Sequence, residues 1–161
     1  MKQWIAGLLC LCALLSLAAC KGGDSKDGWT FQTGGVTLKI GDKCADALKQ
    51  LESGCKSKSA TGSCANAAGE DVLYTYEGFR LTTYREKEND PNEKLCTVEF
   101  LNDAVKTPEG ITVGSTVDAV KTAYGTPTTE DSSVLTYDKG NTRLRFAIRD
   151  GKVSGVTYLA L

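Results

Sequence analysis

There is no histidine in these 161 residues. That absence removes Ser–His–Asp and Cys–His catalysis in their usual forms, since both need an imidazole that exchanges a proton near neutral pH. No Cys-x-x-Cys pair occurs, so a zinc knuckle and a thioredoxin-like redox site are excluded as well. Neither sign of charge dominates. The 19 Lys and Arg against 20 Asp and Glu leave a net −1, which offers no electrostatic ground for binding nucleic acid or an anionic membrane surface. Nor is any apolar run long enough to span a bilayer. Ile5 to Ala19 carries no charge but is only 15 residues long, and a spanning helix needs about 20.

What that run does fit is a secretion signal. Met1-Lys2-Gln3-Trp4 forms a short basic start, the apolar stretch follows with Ser16 as its one polar side chain, and small residues close it. The closing Leu17-Ala18-Ala19-Cys20 resembles the bacterial lipobox, in which the thiol receives diacylglycerol and cleavage leaves that Cys as the first residue. Residues 1–19 are therefore expected to be a lipoprotein signal peptide and Cys20 the lipidated N-terminus. Ordinary cleavage after Ala19 is the rival. Two acyl chains suffice for stable anchoring, so the expected location is the cell membrane, with the domain facing outside the cytoplasm. Residues 20–28, small and polar after Cys20, read as a flexible tether, with order beginning near Trp29. Losing Lys2 takes the mature charge from −1 to −2.

The remaining chain shows an internal echo. Gly35-Val36-Thr37-Leu38-Lys39-Ile40-Gly41 is answered by Gly110-Ile111-Thr112-Val113-Gly114, and Asp46-Ala47-Leu48-Lys49 by Asp118-Ala119-Val120-Lys121. Leu73 to Tyr76 matches Val134 to Tyr137, Phe79 to Leu81 matches Leu144 to Phe146, and Leu95 to Phe100 matches Val153 to Tyr158. Five matches in one order predict a tandem duplication, residues 29–109 and 110–161. Cys44, Ala47, Leu48 and Leu51 have helical spacing, as do Val117, Val120, Ala123 and Tyr124. Ser115 or Thr116 is placed to cap the second helix, and Gly54 and Gly125 to end the two. Leu144, Phe146 and Ile148 alternate with polar neighbours as in a half-buried strand. The third strands bury i, i+3 and i+5, which predicts a β-bulge near Thr97 and near Gly155. The expected class is thus α+β: two tandem helix-plus-three-strand repeats forming one antiparallel sheet, both helices on one face.

At these residues the chain resembles secreted β-lactamase-inhibitory-protein-like domains, through its helix-then-meander order and the run Gly110 to Gly125. Ser63 to Tyr76 is also similar to lipoproteins of Gram-positive gut anaerobes, and one unit alone to small lipoproteins of outer-membrane assembly machinery. The resemblance covers most of residues 30–161. It implies a protein-binding role and supplies no catalytic residue.

Carboxylate pairs are the only acid–base material left: Asp24/Asp27, Glu86/Glu88 and Asp90/Glu93, all in polar stretches expected to be exposed. Glu86 to Glu93 lacks the spaced ligands and central glycine of a calcium loop. No cofactor and no metal is expected. Binding is better served. With Leu144, Phe146 and Ile148 turned inward, Arg143, Arg145 and Arg149 face out, and Arg80 and Tyr84 take equivalent places in the first copy. Arg and Tyr are favoured at protein interfaces, although any solvated sheet face is polar. Tyr74, Tyr76 and Tyr137 align with core Leu135 and read as core rather than a ligand platform.

Four cysteines outlast the signal and the lipid, an even number that suits two disulfides in an exported chain. Cys44 and Cys55 flank the first helix, about 16 Å apart, too far to bond. Cys44–Cys64 with Cys55–Cys96 is the favoured pairing; Cys55–Cys64 with Cys44–Cys96 is the rival, a helix-to-strand bridge being what the inhibitor-like resemblance implies. The function expected is a membrane-anchored protein-binding module acting through the open sheet face. The alternative is an envelope-structural or assembly-complex lipoprotein. An enzyme is not expected.

Overall fold

In the computed structural model, residues 28–64 and 68–161 are described; the expected signal peptide, Cys20 and the tether up to residue 27 lie outside them. The chain runs through β1 (Thr30–Thr33), β2 (Val36–Lys39), α1 (Ala45–Leu51), β3 (Ser57–Gly62), β4 (Glu70–Thr75), β5 (Phe79–Arg85) and β6 (Lys94–Phe100). It continues through α2 (Val117–Tyr124), β7 (Thr129–Glu130), β8 (Val134–Lys139), β9 (Thr142–Arg149) and β10 (Lys152–Ala160). β1 and β2 make a hairpin of their own. All the other strands join one antiparallel sheet in the order β3-β4-β5-β6-β10-β9-β8-β7.

This corrects the expected architecture. Strand accounts for 47% and helix for 14%, so the fold is mostly β and not a pair of helix-plus-three-strand repeats. Four strands, not three, follow each helix. The missed ones, β3 and β7, are wholly exposed and carry no apolar alternation, which left them silent in the sequence. The helices have only seven and eight residues, too short to cover an eight-stranded sheet. α2 begins where Thr116 accepts a hydrogen bond from the Ala119 N–H at 3.2 Å.

The cover comes instead from the β1–β2 hairpin. Gly34 and Gly35 turn it at φ 54° and 77°, the left-handed geometry that a two-residue hairpin of this hand requires. Phe31 is fully buried on the middle of the sheet, with ring centroids 5.0 Å from Phe79, 5.4 Å from Phe100 and 6.2 Å from Tyr158. These partners lie on β5, β6 and β10, so one side chain pins both meanders. Trp29 ties the hairpin's start to the second meander. Its indole N–H donates to the Tyr137 carbonyl at 3.0 Å, and its backbone N–H to the Thr142 hydroxyl at 2.8 Å. Gly28 passes so near that a Cβ there would sit 2.7 Å from Thr142 Cγ2. The β6–α2 connection adds Ile111 to the same core and Val105 against it.

Both expected bulges are present. Register slips between Val153 and Gly155 on β10, and opposite Thr82 and Thr83 on β6, leaving Ser154 and Cys96 as the extra residues. Leu95 and Val98, like Val153 and Val156, therefore all face the core. Replacing Phe31 by Ala is expected to cost about 3–5 kcal/mol, the usual toll for emptying a buried phenylalanine site. Urea denaturation followed by Trp29 fluorescence measures it; a loss below 1 kcal/mol would show the hairpin to be dispensable.

Candidate functional site: the open sheet face

Because every core side chain lies on one face, the strands' alternate residues make up the other. On β5 Phe79, Leu81 and Thr83 are buried, while Arg80, Thr82 and Tyr84 are half-buried on the opposite side. On β9 the outward set is Arg143, Arg145, Ala147 and Arg149. No helix among the described residues packs on this face. All five arginine and tyrosine positions expected from the sequence lie there.

They do not form one cluster. The register aligns Thr75, Arg80, Glu99, Thr157, Arg145 and Thr136 in a row across six strands. Arg80 and Arg145 are three strand spacings apart in it, roughly 14 Å. Arg143 sits one row away, beside Leu159. β5 and β9 run in opposite directions, so Tyr84 and Arg149 end at opposite edges of the face, roughly 30 Å apart. Arg80 is engaged with Glu99 at 2.7 Å across the strand pair, and Arg143 grips Asp138 through two bonds of 2.7 and 2.9 Å. The Arg143 bonds hold the Asp138 carboxyl below its ordinary range. Arg145 and Arg149 are exposed and have no carboxylate at ion-pair distance among the described residues. Leu73 and Leu159 are part-exposed on the same face, so the row is flanked by apolar contact area and by exposed cationic charge, Arg145 lying within electrostatic reach of Asp131.

A second concavity lies on the other side. A groove of about 520 Å³ separates α1 from β3 and β4; Leu48, Tyr74 and Tyr76 line it, with Lys58 over the Tyr74 ring at 5.1 Å. Its wall includes Asp90 and Glu93, which are 6% and 5% exposed, correcting their placement in a solvated stretch. Tyr74 donates to Glu93 Oε1 at 2.9 Å, and Thr83 donates to the same oxygen. Asp90 accepts from the backbone N–H groups of Asn92 (2.9 Å) and Glu86 (3.2 Å), which lower its pKa. These bonds make both carboxylates ties that hold the loop between β5 and β6 against the sheet. Tyr74, Tyr76 and Tyr137 are buried members of the core, and the first two also floor the groove. No sequence pattern marks the groove, since β3, one of its walls, is exposed throughout and carries no apolar alternation.

The expected disulfides are not formed. Cys44, Cys55, Cys64 and Cys96 are all free thiols, and the sheet explains why the favoured pairs fail. Cys55 and Cys64 flank the two ends of β3 at the sheet edge, while Cys96 lies three strands inward. Cys55–Cys96 and Cys44–Cys64 are each separated by roughly 15 Å or more, beyond disulfide reach. Cys44 is buried, with its thiol donating to the Glu93 carbonyl at 3.4 Å. Burial first, then the nearby Glu93 charge and Cys96, push its pKa up to about 12. No group of three or more metal-ligating side chains occurs among the described residues.

No family model, curated protein or solved structure matches this chain.

Since the thiolate is the reactive form, Cys44 is ionised to only about one part in 10⁴ at pH 8. Timed alkylation read by peptide mass spectrometry is expected to label exposed Cys64 first and Cys44 only after denaturation. Early modification of Cys44 in the folded protein would contradict this placement.

Proposed function

We propose that this chain is a lipid-anchored module, held on the outer side of the membrane through Cys20, that binds a protein partner across the open face of its sheet. The observation that carries the reading is the one-sidedness of the fold: eight strands give their whole core to one face and leave the other bare. A bare face with part-exposed Leu73 diagonal to Arg80, Leu159 beside Arg143, and Tyr84 at its edge has the makeup of an interface rather than of a merely solvated sheet. The exposed charges at Arg145 and Arg149 favour a partner surface that is acidic or rich in carbonyl oxygens. The resemblance to β-lactamase-inhibitory-protein-like domains points the same way. The cores of the two meanders are fused through Phe31, so the face is rigid and association costs it little ordering.

The anchor reading rests on Leu17-Ala18-Ala19-Cys20 and on the nine polar and small residues from Cys20 to Gly28 that precede the partly buried Trp29. No helix among the described residues is long and apolar enough to cross a membrane. Mass spectrometry of the mature protein is expected to find diacylglyceryl-Cys20 as its first residue, and Cys20→Ala to prevent that processing. An unmodified chain starting elsewhere refutes the anchor.

The face itself is tested by photo-crosslinking in the native envelope. A benzoylphenylalanine at Thr157, mid-row, is expected to give one discrete adduct, and the same probe at Asp118 on α2 none. Adding Arg145→Glu and Arg149→Glu is expected to abolish the Thr157 adduct while moving the melting temperature by no more than a few degrees, as exposed surface changes do. Equal crosslinking from both positions, or an adduct indifferent to the two charge reversals, would refute the assignment.

A further inference from the structure

The sheet has two edges, and they differ. β7 is two residues long and is braced by α2, whose Lys121 meets Glu130 at 2.6 Å. β3 is six residues long, regular, exposed throughout, and paired on one side only. Its phase is fixed by the Ser63 N–H, which donates to the Gly69 carbonyl at 3.0 Å in the same register that sets Ser57 opposite Thr75. Odd-numbered residues therefore bond to β4, and the N–H and C=O groups of Lys58, Ala60 and Gly62 point outward. Among the described residues nothing covers them. Edges of this length are ordinarily blunted by proline, a bulge or outward charge. β3 has no proline and an unbroken register from Ser57 to Gly62, its one irregularity being the Lys56 N–H that also turns to the Thr75 carbonyl ahead of the strand. Its one charge, Lys58, is folded back over Tyr74.

We propose that β3 pairs antiparallel with β3 of a second copy of this chain, centred on Ala60, to give one sheet of sixteen strands. The match is self-complementary. Ala60 meets the partner's Ala60, and Lys58 meets the partner's Gly62, so all the outward backbone groups of the three residues are satisfied and no like charges face each other. Ser59 lies opposite the partner's Thr61 on the open face, where hydroxyl pairs are favourable. Charge complementarity picks out a second copy over an arbitrary strand. Gly62 is paired with Glu70 on β4, and both lie on the core side. Glu70 gives Oε2 to Arg85, whose Nε and Nη2 donate to it at 3.0 and 2.9 Å, which leaves Oε1 to take a second donor. A Lys58 arm crossing the partner's Gly62 meets no side chain there and reaches the carboxylate of the partner's Glu70 two strand spacings away, roughly 10 Å between Cα atoms. The twofold makes this contact twice.

The chain's exits suit the same arrangement. An antiparallel pair of edges has its twofold axis normal to the sheet, so both core faces lie on one side. Gly28 leaves each chain on that side, against Thr142, with up to about 28 Å of tether back to Cys20. Two lipids in one bilayer are thus compatible with the pair, and the two open faces merge on the far side. That last point alone rests on the anchored reading above; the pairing itself does not.

Sedimentation equilibrium of the full-length protein in density-matched detergent, from micromolar to millimolar concentration, tests the pairing. A reversible monomer–dimer equilibrium is expected, with hydrogen exchange at Lys58, Ala60 and Gly62 slowing as the dimer forms. Ala60→Pro removes an outward N–H without touching the β4 ladder and is expected to weaken the dimer about tenfold or more. Lys58→Glu, which sets like charges across Gly62, is expected to weaken it too and serves if the proline variant does not fold. A protein monomeric throughout, a dimer insensitive to both variants, or amides protected only when a different protein is added would each overturn the proposal.

Discussion

Phe31 against Phe79, Phe100 and Tyr158 is the contact on which the remainder of the architecture rests. An eight-stranded sheet with two helices of two turns each has far more apolar face than those helices can cover. The N-terminal hairpin resolves this by laying one aromatic ring on the seam between β6 and β10, where the two meanders meet. Trp29 then fastens the hairpin to β8 and β9 through two hydrogen bonds. From β4 to β10 the core side is closed apart from the groove beside α1, and the other side carries no cover. The functional reading follows from this division.

The two central strands show how the division is kept across an awkward joint. A strict alternation along β6 would turn Val98 and Phe100 outward once Leu95 faces in. The extra residue Cys96 restores the phase, and Ser154 does the same on β10. Bulges also raise local twist, and placing both on neighbouring central strands lets the sheet wrap the hairpin. The polar row from Thr75 to Thr136 is continuous because both phases are repaired before it.

Legibility in the sequence followed apolar content. Leu144, Phe146 and Ile148 announced a one-sided strand, and the i, i+3, i+5 spacing of Leu95, Val98 and Phe100 announced a bulge. The outward place of Arg80, Tyr84, Arg143, Arg145 and Arg149 came with them. Ser57–Gly62 carries no apolar signal because an exposed edge strand buries nothing, so no local pattern marks β3 as a strand, and neither the eight-stranded sheet nor the groove beside it is legible without it. Glu93 was misplaced for a related reason: it lies in a polar run, and only the fold brings Tyr74 and Thr83 over it. Ion pairs such as Arg80–Glu99 depend on register between strands, which no local pattern carries. Whether the outward residues converge was equally hidden, since β5 and β9 run in opposite senses.

One-sided burial is most directly tested by methyl NMR of the full-length protein in detergent with a soluble paramagnetic relaxation agent. Leu73 and Leu81 lie on adjacent strands, as do Leu159 and Leu144, but each pair is split between the two faces. Strong broadening of the Leu73 and Leu159 methyls with Leu81 and Leu144 unaffected is the predicted result. Equal protection of all four would mean that the open face is covered, and would contradict the account.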